Sequence, residues 1–85
     1  MKLLIVTLSF VQAGRAKSYD MEMPCHIPAE KLCREIRQTI QAYQGAALDG
    51  APQGKLFSRR LDRTLRPEET FEAAGIRNGD YIDLR

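Results

Sequence analysis

The residue types in this 85-residue chain that could carry chemistry are one histidine, two cysteines, a group of carboxylates and a run of arginines. His26 stands between Cys25 and Ile27 in a corner bracketed by Pro24 and Pro28. A Cys–His nucleophile pair needs hydrogen-bond reach and a third orienting group, and adjacent residues on an extended chain point to opposite sides. His26 therefore reads as an exposed loop residue. Cys25 and Cys33 fit neither a metal-ligand set nor a dense disulfide framework. Reduced thiols are the simpler reading, and a Cys25–Cys33 bridge is the alternative, since sequence does not give the Cα separation a bridge requires. Glu68, Glu69 and Glu72 cluster as a solvated acidic face does. With no glycine-rich phosphate loop and no metal spacing, the expectation is a protein that is not an enzyme and has no cofactor or metal.

The arginines are the one charge feature of note. Residues 55–66 hold Lys55, Arg59, Arg60, Arg63 and Arg66 against Asp62 alone, whereas residues 67–85 hold five acidic residues against two basic ones. One reading is a solvated strand and loop. The other is a partner-binding surface, in which Arg59, Arg60, Arg63 and Arg66 make bidentate contacts with a partner's carboxylates and Phe57, facing out of its strand, is the apolar anchor. A nucleic-acid-binding domain using residues 59–66 is the alternative. It is weakened by a net charge of only +2 and by Phe57 being the one aromatic near the arginines, because single-strand binders join charge to stacking surfaces.

These side chains have to be positioned by a small fold. The length suits one domain, expected to span residues 1–85 around one modest core. A composition of 44% hydrophobic and 28% charged residues is that of a folding chain rather than a disordered one. Lys2 and the run over residues 3–11 could pass for a secretory signal. However, Leu4, Val6, Leu8 and Phe10 alternate with Thr7 and Ser9, which is strand periodicity. No stretch approaches the ~20 apolar residues of a membrane-spanning helix, so the chain is expected to be soluble and cytoplasmic.

A hairpin connection of moderate length is expected over residues 12–17, then a second strand over 18–23, where Tyr19, Met21 and Met23 alternate with Asp20 and Glu22. Pro28 suits the first turn of a helix. Leu32, Ile36, Ile40 and Tyr43, with Cys33 beside them, form one apolar stripe on that helix. Gly45, Gly50, Pro52 and Gly54 mark a loop. A short strand over 55–58 follows, then a weaker one within 61–65. Next comes a helical turn over 70–74, with Thr70 as N-cap and Gly75 as its stop. After an Asn78-Gly79 turn, a last strand over 80–85 has Ile82 and Leu84 on one face and Tyr81 and Asp83 on the other. The expected core is Leu4, Val6, Leu8, Met21, Leu32, Ile36, Ile40, Leu56, Ile76, Ile82 and Leu84. One helix covers four strands only if they form one sheet that it crosses, so the class is α+β: a mixed four- to five-stranded sheet with one helix on one face.

The closing segment, Thr70-Phe71 leading through Gly75-Ile76 and Gly79-Asp80 into the last strand, resembles the pattern that ends ubiquitin-like domains. With the hairpin residues 19–24, the approach to the helix through His26-Ile27-Pro28, and a length near 80, the whole chain is most similar to the YukD/EsaB family of small ubiquitin-like proteins of bacterial type VII secretion systems. The resemblance implies a β-grasp fold with the first and last strands parallel at the centre of the sheet. It also implies a cytosolic accessory or regulatory module docking on a membrane component or ATPase of the machine, with a homodimer as a further partner state. A modifier or adaptor of another bacterial system is the alternative. Covalent use needs a flexible Gly-Gly tail, whereas this sequence ends Ile82-Asp83-Leu84-Arg85, so the expectation is reversible docking. Arg85 stands where ubiquitin's partner-binding surface has an apolar residue, so receptors for that apolar patch are not expected to read this one.

Overall fold

The computed structural model describes residues 2–12, 14–44 and 55–85. The expected loop over residues 45–54, Ala13 and the Tyr43 side chain lie outside the described residues. Alternating apolar residues in the first strand pair it with the next: β1 (Leu3–Gln12) and β2 (Arg15–Pro24) form an antiparallel hairpin running from Leu3↔Pro24 to Gln12↔Arg15. Only two residues separate the strands, and Gly14 has φ +73°. The connection is therefore much tighter than the expected span of residues 12–17. Glycine's tolerance of the left-handed region lets the ladder continue through Arg15.

The helix α1 (Ala29–Gln44) begins directly after Pro28. Its first N–H groups have no partners within the helix, and a distant segment supplies them: Ala29 N–H donates to the Glu69 carbonyl at 2.8 Å and Glu30 N–H to the Pro67 carbonyl at 2.9 Å. Two short strands follow, β3 (Leu56–Ser58) and β4 (Arg63–Thr64), then α2 (Phe71–Ala74) and β5 (Tyr81–Leu84). The side chain of Thr70 accepts from the Ala73 N–H, and Gly75 ends α2 at φ 78°, ψ 28°. Both expected caps are thus in place.

The strand order is β2-β1-β5-β3-β4. β1 and β5 run parallel at the centre, through Thr7↔Tyr81 to Ser9↔Asp83, and β5 pairs antiparallel with β3, through Leu56↔Leu84 to Ser58↔Ile82. One cluster of buried residues joins Leu4, Val6, Leu8 and Phe10 of β1 to Leu32, Ile36 and Ile40 of α1 and to Leu56, Ile82 and Leu84. Ten of the eleven expected core residues are buried there. Met21 is the exception: it is only half-buried and packs against the margin of the cluster. Phe71, Leu65, Met23, Cys25 and Cys33 join the core. Phe71 is wholly buried, and α2 closes that end of the domain with its Glu72 N–H donated to the Cys25 carbonyl at 3.1 Å. No helix among the described residues is long and apolar enough to cross a membrane.

Candidate interaction surface

Period-two alternation that buries Leu4, Val6 and Leu8 puts Leu3, Ile5 and Val11 on the opposite face, where they remain 45–51% exposed. The register adds Thr7 and Ser9 of β1, Tyr81 and Asp83 of β5 and Phe57 of β3 to that face. Phe57 does face out of its short strand, flanked by buried Leu56 and Ser58. Asp83 is the hub: Arg59 Nε and Nη2 donate to it at 3.0 and 2.8 Å, and Arg85 Nη2 lies 3.6 Å away. The two guanidinium groups also lie against rings, Arg85 3.9 Å from the Phe57 centroid and Arg59 5.2 Å from that of Tyr81, within cation–π range. The outer face thus carries exposed Leu3 and Ile5 toward one end of β1 and Val11 at the other, with Thr7 and Ser9 between them, beside an aromatic–arginine cluster. Arg85 is itself tied to Lys55 by main-chain bonds in both directions.

The four arginines expected to form one patch point to different places. Arg59 lies on the outer face. Arg60 turns to Asp80, with Nε 3.1 and 3.0 Å from its two oxygens, and also donates to the Gly75 carbonyl behind α2. Arg63 makes a bidentate pair with Glu69 at 2.8 and 2.7 Å. Arg66 donates its backbone N–H to the same carboxylate at 3.0 Å, and its side chain lines a cleft between α1 and the β3–β4 edge. The Arg63 and Arg66 hydrogen bonds hold the Glu69 carboxyl down at about 2. Burial would raise Asp80, but hydrogen bonds from Arg60 and from the Arg77 N–H together outweigh it and hold that carboxyl below its ordinary range. Arg60 and Arg63 therefore join the ends of α2 and α1 to the sheet. Sequence adjacency gave no signal of this, because their partners lie 20 and 6 residues away.

His26 is exposed, and Cys25 and Cys33 are buried and not bridged. Burial pushes the Cys33 thiol up, and nearby Arg37 offsets part of that rise. Among the described residues, no three His, Cys, Asp or Glu side chains are placed to hold a metal.

A mixed sheet with its first and last strands parallel at the centre, one helix across one face and a short helical turn before the last strand defines a ubiquitin-like β-grasp protein. Solved structures of the same fold include the EccD5 ubiquitin-like domain from Mycobacterium xenopi, with TM-score 0.64 at 16% identity, covering 100% of this chain and 94% of that one. The ubiquitin of Caldiarchaeum subterraneum gives 0.62 at 20% identity, covering 98% and 91%. A component of the MycP5-free ESX-5 inner membrane complex gives 0.64 at 15% identity, with all of this chain matching 21% of that one. No curated protein matches the sequence. The family model described as "WXG100 protein secretion system (Wss), protein YukD" matches residues 4–84, and the chain belongs to that family. The resemblance read from residues 19–28 and 70–84 led to the same family.

Proposed function

We propose that residues 1–85 form a single non-catalytic domain that serves a type VII secretion machine from the cytosolic side by reversible docking on a membrane component or its ATPase. The observation that carries this reading is the family match over residues 4–84, and the ESX-5 neighbour is a component of an inner membrane complex. The outer sheet face supplies the docking surface. Phe57 and Tyr81, with Arg59 and Arg85 over their rings, form a rigid aromatic–arginine centre of the kind that dominates interfaces. Arg60, Arg63 and Arg66 lie outside that centre, and the first two act by holding the loops beside it. Docking in this reading is non-covalent, by reversible contact through that aromatic–arginine centre.

The test is complementation in the host after deletion of the gene. The wild-type chain restores export of the system's small substrates and co-purifies with the machine's membrane fraction. A Phe57→Ala/Tyr81→Ala variant that keeps its melting temperature loses both. Normal export in the deletion strain refutes the secretion role. A reductant-resistant ladder on denaturing blots refutes the non-covalent mechanism in favour of a modifier.

A further inference from the structure

The ion pairs and the cleft lining pick out two groups of four among the thirteen basic side chains of this domain. Arg59, Arg60, Arg63 and Arg85 are matched to Asp83, Asp80 and Glu69 within the fold. Arg34, Arg37 and Lys55 form no ion pair among the described residues, and the Arg66 guanidinium makes none either. Those four side chains line a single cleft of about 600 Å³. Arg34 and Arg37 lie three apart on α1 and so share one wall, while Lys55 and Arg66 flank β3 and β4 on the other. Glu30 is the one carboxylate among the described residues of the lining. At the floor are Leu56 and Leu65, 1% and 3% exposed, with the Leu65 N–H bonded to the Leu56 carbonyl at 2.8 Å.

We infer that this cleft binds an acidic peptide segment of a partner protein, carboxylates against the four cations and an aliphatic side chain against exposed Pro67 above the Leu56–Leu65 floor. Among the described residues of the lining, four cations against one carboxylate leave a local excess of positive charge, in a domain whose net charge is only +2. A concave wall of one sign focuses that field. The volume lies within the range of sites that enclose a ligand group. Two other anionic partners fit less well. Among the described residues no aromatic side chain lines the cleft, so those residues give nucleic-acid bases nothing to stack on. A flat anionic bilayer cannot reach a floor recessed between a helix and a sheet edge. This surface is separate from the outer sheet face, which lies on the side of the sheet away from α1. The inference therefore stands or falls without the secretion reading.

Fluorescence anisotropy of the purified chain with a labelled peptide of alternating glutamate and leucine tests it. The expected result is saturable binding that weakens as salt shortens the screening length from about 30 Å at 0.01 M to about 8 Å at 0.15 M. Binding should fall by about tenfold or more, roughly 1.4 kcal/mol, for the same peptide with glutamine in place of glutamate. An Arg34→Glu/Lys55→Glu variant changes one exposed side chain on each wall and should lose binding by a similar factor while keeping its melting temperature. Arg66→Glu is the second variant, read in the same way should the first fail to fold. Outer-face substitutions such as Tyr81→Ala should leave peptide binding unchanged. The inference is overturned by no binding to the wild-type chain, by equal affinity for the glutamine peptide, by unchanged binding in the folded variants, or by tighter binding to single-stranded DNA or phosphatidylserine vesicles than to the peptide.

Discussion

Removing the Asp80 carboxylate should unlock the turn that leads into the central strand β5. Asp80 is 9% exposed and accepts from Arg60 Nε at 3.1 and 3.0 Å and from the Arg77 N–H at 3.0 Å. Its own carbonyl accepts the Thr7 N–H at 2.9 Å, so the turn is fixed against β1 as well. Hydrogen bonds to a charged group contribute about 1.5–3 kcal/mol each when desolvated. Arg60 is 36% exposed, so solvent screening puts its pair at the low end, and water can take over the N–H of exposed Arg77. Asp80→Ala should therefore cost about 2–3 kcal/mol, which for a domain of this size lowers the melting temperature by roughly 10–20 °C. Urea titrations followed by circular dichroism measure the loss, and a double-mutant cycle with Arg60→Ala should give a coupling of about 1 kcal/mol. A loss below about 0.5 kcal/mol for Asp80→Ala, or strict additivity in the cycle, would refute the idea that this pair clamps the α2–β5 turn.

Ile36→Ala, at a site 2% exposed in the middle of α1, should cost about 2–4 kcal/mol in the same titration; near wild-type stability would remove α1 from its assigned place on the sheet. Glu69 is held at about 2 against an ordinary 4.5, and Asp80 is also lowered, so the unfolded chain binds more protons in acid. The stability these groups supply is full above about pH 4.5 and is lost as pH falls toward 2. Glu69→Gln should flatten the urea midpoint between those pH values, and an unchanged slope would exclude the pair as a source of acid sensitivity. Gly75→Ala places a Cβ that meets nothing within 4 Å but forces φ 78° on an L-residue, so the loss should be torsional, about 1–2 kcal/mol, and Gly75→Asn should recover part of it.

Periodicity was sufficient wherever an element buries a regular face. Leu4, Val6 and Leu8 at period two and Leu32, Ile36 and Ile40 at period four name their own burial, because one repeating geometry sets both spacing and direction. The caps Thr70 and Gly75 were equally legible, since their chemistry is local. Phe71 and Leu65 were not: one sits in a four-residue helix and the other after a two-residue strand, too short for any period to show. Phe57 was legible as an outward anchor, whereas its partner in the aromatic–arginine cluster, Tyr81, was read only as a face of the last strand.

The order of elements, the two-layer class and the family resemblance are legible along the chain, because all of them depend on residues near one another in it. The sequence also showed that the basic charge concentrates in residues 55–66. What that charge does depends on packing in three dimensions. Arg59 and Arg60 reach Asp83 and Asp80 because antiparallel pairing of β3 with β5 brings residues 24 and 20 apart to hydrogen-bond distance. Arg34 and Arg37, inconspicuous on the helix surface, come to face Lys55 and Arg66 only because α1 lies across the sheet beside the β3–β4 edge. Charge along a chain is one-dimensional, but attraction and repulsion depend on distance in space, and the packing of α1 on the sheet sets that distance.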